Sequence, residues 1–182
     1  EPLMSIEEQD LVHLARCVAL AEEALGQGHA PFGSILVDSE GHVLLEDRNR
    51  DTRLFGTRHP ELAIAQWAEA NIPRPLRGVL TVYTSGEHCP MCAATHAWAG
   101  LGRIVFATST LQLVDWLTGL GSAPGPVAPL RITDVVPDAD VDGPAPELAE
   151  GVRALHTRHH ERFREGGKAT LNGLLPHPWL WS

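Results

Sequence analysis

The chain has 182 residues, 43% of them hydrophobic and 20% charged, which fits one folded domain and excludes a disordered chain. With 14 basic and 23 acidic residues the formal charge is −9, so a polyanion is not the expected partner. No apolar run approaches the ~18–20 residues that span a bilayer, and the N-terminus shows no basic segment followed by an apolar stretch, the mark of a secretory signal. Three cysteines are too few and too uneven for a disulfide scaffold, so the expectation is a reduced, cytoplasmic protein whose thiols have other uses.

Ser5 and Glu8 read as a capping box opening a first helix, with Leu11, Leu14, Cys17, Ala21 and Leu25 on one apolar stripe and Gly26 and Gly28 ending it. Gly33 to Asp38 and His42 to Asp47 predict a strand hairpin. Pro60 opens a second helix that runs to about Asn71, where Pro73 and Pro75 stop it. Val79 to Thr84 predicts a third strand. Pro90 opens a helix that Gly100 closes, and Arg103 to Thr108 is a fourth strand. Residues 119–129, rich in Gly and Pro, read as a loop, Ile132 to Val136 as a fifth strand, and Pro146 to about Phe163 as a last helix. The alternation predicts a three-layer α/β/α domain over residues 5–182 with a five-stranded mixed sheet, antiparallel first and parallel later. Right-handed crossovers place the two central helices on one face.

Three soft ligands fall at helix starts: His59 before Pro60, then Cys89 and Cys92 around Pro90-Met91. Two thiols three positions apart at a helix N-terminus can turn to one ion, and the helix dipole and the metal both favour the thiolates. One imidazole and two thiolates make three ligands for Zn²⁺. No fourth ligand is evident, and three protein ligands leave a position for water, the arrangement of catalytic zinc. Glu61, two residues after His59, is suited to move protons at that water.

The pattern His59-Pro60-Glu61 followed by Cys89-Pro90-Met91-Cys92 resembles the zinc-dependent cytidine deaminase superfamily. Pro31-Phe32-Gly33-Ser34-Ile35-Leu36-Val37 is similar to the first strand of its purine branch, and the segment from Cys89 through Trp98 to Ala107 is similar to bacterial guanine deaminases and tRNA adenosine deaminases. The likeness covers residues 5–110 well and 111–182 only in outline. It implies a cytidine deaminase-like fold, one Zn²⁺ per chain with a bound water, and hydrolytic release of ammonia from a free nucleobase or small analogue. Guanine or another aminopurine comes first, cytosine or s-triazine analogues next. Glu61 would protonate the ring nitrogen beside the amine-bearing carbon and then the departing amine.

The same likeness implies a substrate contact at Asn49, a homodimer, and residues 170–182 as a tail or active-site lid, where Trp179 would suit stacking on the base. Phe32 and Trp98 read either as core packing or as lining of the base pocket, and His88 either as a hydrogen-bonded structural histidine or as a substrate contact. Two positions depart from the pattern: His88 stands where Pro usually precedes the first Cys, and Pro60 stands where Ala is commoner. Asp115 is the only acidic residue in 109–128, where guanine deaminases carry a substrate-contacting carboxylate. The run His156, Arg158, His159, His160, Arg162 and Arg164 reads as a solvated helix face, or alternatively as an RNA grip. Two other classes stay open: a tRNA-editing adenosine deaminase and a non-catalytic zinc-binding interaction module.

Overall fold

The computed structural model describes residues 6–170, with side chains as far as Arg164. Its elements in chain order are α1 (Glu8–Gly26), β1 (Gly33–Val37), β2 (Val43–Arg48), α2 (Pro60–Asn71), α3 (Arg74–Arg77), β3 (Thr81–Thr84), α4 (Pro90–Ala99), β4 (Ile104–Phe106), α5 (Thr110–Gly119), α6 (Ile132–Val135), β5 (Val141–Asp142) and α7 (Pro146–Thr170). The strands form one sheet in the order β2-β1-β3-β4-β5. β1 is antiparallel to both β2 and β3, while β3–β4 and β4–β5 are parallel. Among the described residues no helix is long and apolar enough to cross a membrane.

Side chains alternate across the sheet and fill two separate cores. Ile35, Val37, Tyr83 and Val105 point to one face, where Leu14, Cys17 and Leu20 of α1 and Val152 of α7 cover them. Leu36 and Val82 point to the other, under Ile64, Ala65 and Ala68 of α2 and Ala99 of α4. The two central helices therefore share one face, as the crossover rule requires, and the three layers are present. Gly33 begins β1 where α1 crosses closest: a Cβ there would run into the Cys17 carbonyl and lie 2.7 Å from the Ala21 nitrogen.

Several sequence expectations need correction. Helix α1 is capped at Glu7, whose N–H donates to Asp10 Oδ2 at 2.9 Å; Ser5 lies outside the described residues. Ile132 to Val136 is not a strand. Its β-branched residues suit either state, but Arg131 bonds Asp134 across a helical turn, and the Ile132 N–H donates to Glu87 Oε1 at 2.9 Å. The fifth strand is the two-residue β5, which pairs with Ile104 and Val105. Residues 110–119, to which no element is assigned from sequence, form α5, capped by the Ser109 hydroxyl and Gln112. Leu113, Trp116, Leu117 and Leu120 are half-buried on one side of this segment, and their helical spacing was the available signal.

Candidate metal centre and active site

Helices α2 and α4 begin side by side, and their N-caps are His59 and Cys89. Pro60 and Pro90 occupy the first helical positions, where φ is already suitable and no N–H is wasted. His59 Nδ1 lies 3.5 Å from both Cys89 Sγ and Cys92 Sγ, and the two sulfurs are 3.6 Å apart. Zinc bonds of about 2.3 Å to sulfur and about 2.0 Å to nitrogen, at tetrahedral angles, put ligand atoms roughly 3.8 Å (S···S) and 3.5 Å (S···N) apart. The triangle is thus already the size of three corners of a zinc tetrahedron, and the donor set fits the ion. The Cys92 S–H, held near Cys89 and assisted by His59, brings the Cys89 thiol down to about 4. That pair, with a helix N-terminus behind it, favours thiolate at the ligand position.

Glu61, in the first turn of α2, is 5% exposed. Burial raises its carboxyl above the ordinary value, against the pull of His59 and of its hydrogen bonds. The Thr84 hydroxyl donates to Glu61 Oε1 at 2.8 Å and itself accepts from Ser34 Oγ at 2.9 Å. Glu61 Oε2 lies 3.9 Å from Cys92 Sγ. The chain Ser34–Thr84–Glu61 fixes one carboxylate oxygen by strands β1 and β3. A buried carboxyl held in this way can pass a proton without first being rearranged.

Around this core the other expected residues fall in different places. Asn49 is fully buried; its N–H donates to the Phe32 carbonyl at 3.0 Å, its Oδ1 accepts from the Asp51 N–H at 2.9 Å, and its Nδ2 has no partner. The Phe32 ring lies nearly parallel to the His59 ring, 6.3 Å between centroids. His88 is buried with neither ring nitrogen paired, and it packs edge-on against His96 at 5.4 Å. His96 donates from Nε2 to the Gly102 carbonyl at 2.8 Å, which occupies it at the far end of α4. Trp98 stands apart from the cluster. It lies six residues after Cys92, roughly 120° around the helix, and is 76% exposed. Asp115 is exposed on α5. Trp179 and the 171–182 tail lie outside the described residues.

Two features escaped sequence reasoning. Glu87 accepts from the Thr110 N–H (2.8 Å) and the Ile132 N–H (2.9 Å), so it binds the first residues of α5 and α6 to the segment that carries Cys89. The expected solvated face of α7 is also only half right. Arg153, Arg158 and Arg164 are exposed, but His156 is buried, as is His159, which helical spacing already groups with Leu148, Val152 and Leu155. For His156, its spacing from Val152 was the available signal.

Residues 7–108 match the family model described as the cytidine and deoxycytidylate deaminase zinc-binding region. The chain belongs to this family, and it is a zinc-dependent deaminase of the nucleobase or nucleoside type. That membership sets aside the non-catalytic zinc module. The chain is 31% identical over 121 residues to a probable cytosine deaminase of Schizosaccharomyces pombe, across 65% of this chain and 72% of that protein. It is 30% identical over 100 residues to the tRNA-specific adenosine deaminase of Bacillus subtilis, across 54% of this chain and 61% of that one. In fold it resembles the guanine deaminase from Nitrosomonas europaea, with a TM-score of 0.61, 16% identity and 88% of each chain covered.

Proposed function

We propose that this protein hydrolytically deaminates a free amino-substituted nucleobase, an aminopurine such as guanine or an aminopyrimidine such as cytosine. The observation that carries the reading is the buried Glu61 carboxyl, braced by Thr84 beside a zinc-sized triangle of His59, Cys89 and Cys92. The S. pombe relative named for cytosine and the N. europaea structure named for guanine support both ring classes. Zinc held by the three ligands supplies the Lewis acid that makes water nucleophilic near neutral pH.

In this reading water adds to the ring carbon that bears the amine. Glu61 takes a proton from that water and delivers one to the neighbouring ring nitrogen. It then carries a proton to the departing nitrogen; the C–N bond breaks, ammonia leaves and a carbonyl remains. Asn49, Phe32 and His88 hold the base, and burial of the pocket excludes bulk water. A homodimer in a reducing, cytoplasmic setting belongs to the same proposal. The odd count of three cysteines supports the compartment, and sedimentation of the zinc-loaded protein tests the dimer.

The test is ammonia release by the zinc-loaded protein across guanine, other aminopurines, cytosine and s-triazines. Glu61→Ala should keep zinc and melting temperature while losing about 10²–10⁴-fold in turnover. His59→Ala and Cys89→Ala should lose zinc as well. Full activity in Glu61→Ala, or unchanged zinc in the ligand variants, would refute the assignment. A tRNA substrate is the second reading. It is supported by the likeness to the B. subtilis enzyme and by exposed Arg153, Arg158 and Arg164 on α7. It requires tRNA binding that weakens steeply with salt.

A further inference from the structure

The face of α7 turned inward carries a histidine that packing alone does not explain. His156 is 3% exposed, and its Nδ1 is buried with no hydrogen-bond partner. Its ring stands edge-on to Phe32, 5.0 Å between centroids, and 6.5 Å from Trp116 of α5. Phe32 is the same ring that lies over His59. Gly86 keeps it there, since a Cβ at that position would approach the Phe32 ring to 3.2 Å. About one helical turn further on, His159 donates to the Thr52 carbonyl at 2.8 Å and fastens α7 to the loop that runs from Asn49 to His59. Phe32 thus links the candidate metal ligand His59 to two buried polar groups without partners: His156 Nδ1 through its ring, and Asn49 Nδ2 through the bond of the Asn49 N–H to the Phe32 carbonyl.

Buried donors and acceptors are nearly always paired, because an unpaired one forfeits its hydration with nothing in return. Close to a site, such a group is a candidate for a ligand's hydrogen bond. We propose that His156 is a specificity-determining residue that hydrogen-bonds the ring-amide edge of an oxo-amino base, the edge carrying a carbonyl beside a ring nitrogen. This rests on the nucleobase deaminase reading above. Burial, with His159 nearby, pushes His156 down to about 3. A neutral imidazole offers one donor and one acceptor, which suits an uncharged base edge and gives no purchase on a phosphate. The favoured substrates are thus neutral bases with both an amine and a carbonyl, ahead of amino-only heterocycles.

The experiment pairs each oxo-amino base with its analogue lacking the carbonyl: cytosine with 4-aminopyrimidine, and guanine with 2-aminopurine. Each is measured as a substrate, or as a competitive inhibitor where turnover is slow, on zinc-loaded wild type, His156→Phe and His156→Asn. His156→Phe keeps the ring packing on Phe32. It should raise KM for the oxo-amino member about 10-fold and leave the analogue nearly unchanged. His156→Asn, whose amide nitrogen can occupy the Nδ1 position, should restore most of the loss and covers the case in which His156→Phe fails to fold. Zinc content and melting temperature are read alongside. Equal effects on both members of a pair, or none, would overturn the role of His156 while leaving the deaminase reading intact. If wild type neither turns over nor binds any of the four bases, the nucleobase reading itself falls, and this inference with it.

Discussion

Removing the Asp10 carboxylate should weaken the fold without disabling the site. Asp10 is 4% exposed. It accepts from the Tyr83 hydroxyl at 2.8 Å, from Arg103 Nη1 and Nη2 at 2.9 Å each, and from the Glu7 N–H at 2.9 Å. Asp10→Ala leaves a buried hydroxyl and a guanidinium short of partners. Breaking a buried pair by deleting one member costs about 3–5 kcal/mol. Arg103 keeps its bond to Asp142 at 2.7 Å and its side chain is 19% exposed, so the low end applies, about 3 kcal/mol. For a chain of this size that lowers Tm by roughly 6–12 °C.

The pH dependence has a definite sign. Burial pushes the Asp10 carboxyl up, but the bonds from Arg103, Glu7 and Tyr83 outweigh it and hold it below the ordinary value of 3.8. Its contribution is present above 3.8 and is lost as pH falls through the lowered value. The Tm gap between wild type and Asp10→Ala should therefore be widest near neutral pH and close in acid. Zinc content should not change, because Tyr83 and Thr84 are consecutive in β3 and face opposite sides of the sheet. A gap below about 2 °C at pH 7, or one that widens in acid, would refute the brace.

Thr84→Val keeps the shape but removes the hydroxyl that bonds Glu61; kcat should fall about 10-fold with zinc content unchanged, and an unaltered kcat would show that Glu61 needs no positioning. Gly33→Ala drives a methyl into the backbone of α1 at Cys17 and Ala21, and should cost about 1–3 kcal/mol in urea unfolding; a neutral result would mean α1 can move away freely.

The chemistry of the site was legible because it is dense and local. His59 and Glu61 are two residues apart, Cys89 and Cys92 three, and each group sits beside a proline that starts a helix. What positions these groups was not legible. Thr84 meets Glu61 across 23 residues, and Glu87 reaches Thr110 and Ile132 across 23 and 45, distances over which sequence carries no periodic signal. The missed secondary structure has similar causes. α5 carries its stripe, Leu113, Trp116, Leu117 and Leu120, immediately before and into a Gly- and Pro-rich stretch that reads as loop, and β5 is two residues long, too short for an alternating pattern to appear. His156 was visible as a residue, yet it sits among arginines, and the charges around it suggested solvent where the fold places Phe32 and Trp116.

Glu87 holds the backbone N–H groups of Thr110 and Ile132 with its two carboxylate oxygens, two residues before Cys89. The stretch between Thr110 and Ile132 is thus pinned at both ends to the segment that carries Cys89, like a handle riveted to a frame. Between the two rivets α5 still leans on the core through Trp116, whereas the Gly- and Pro-rich residues 121–129 can change in length and side chains while Glu87 keeps both ends in place. A change of length in residues 121–129 is accordingly absorbed between two fixed points, and Glu87 is the residue that keeps it from reaching Cys89.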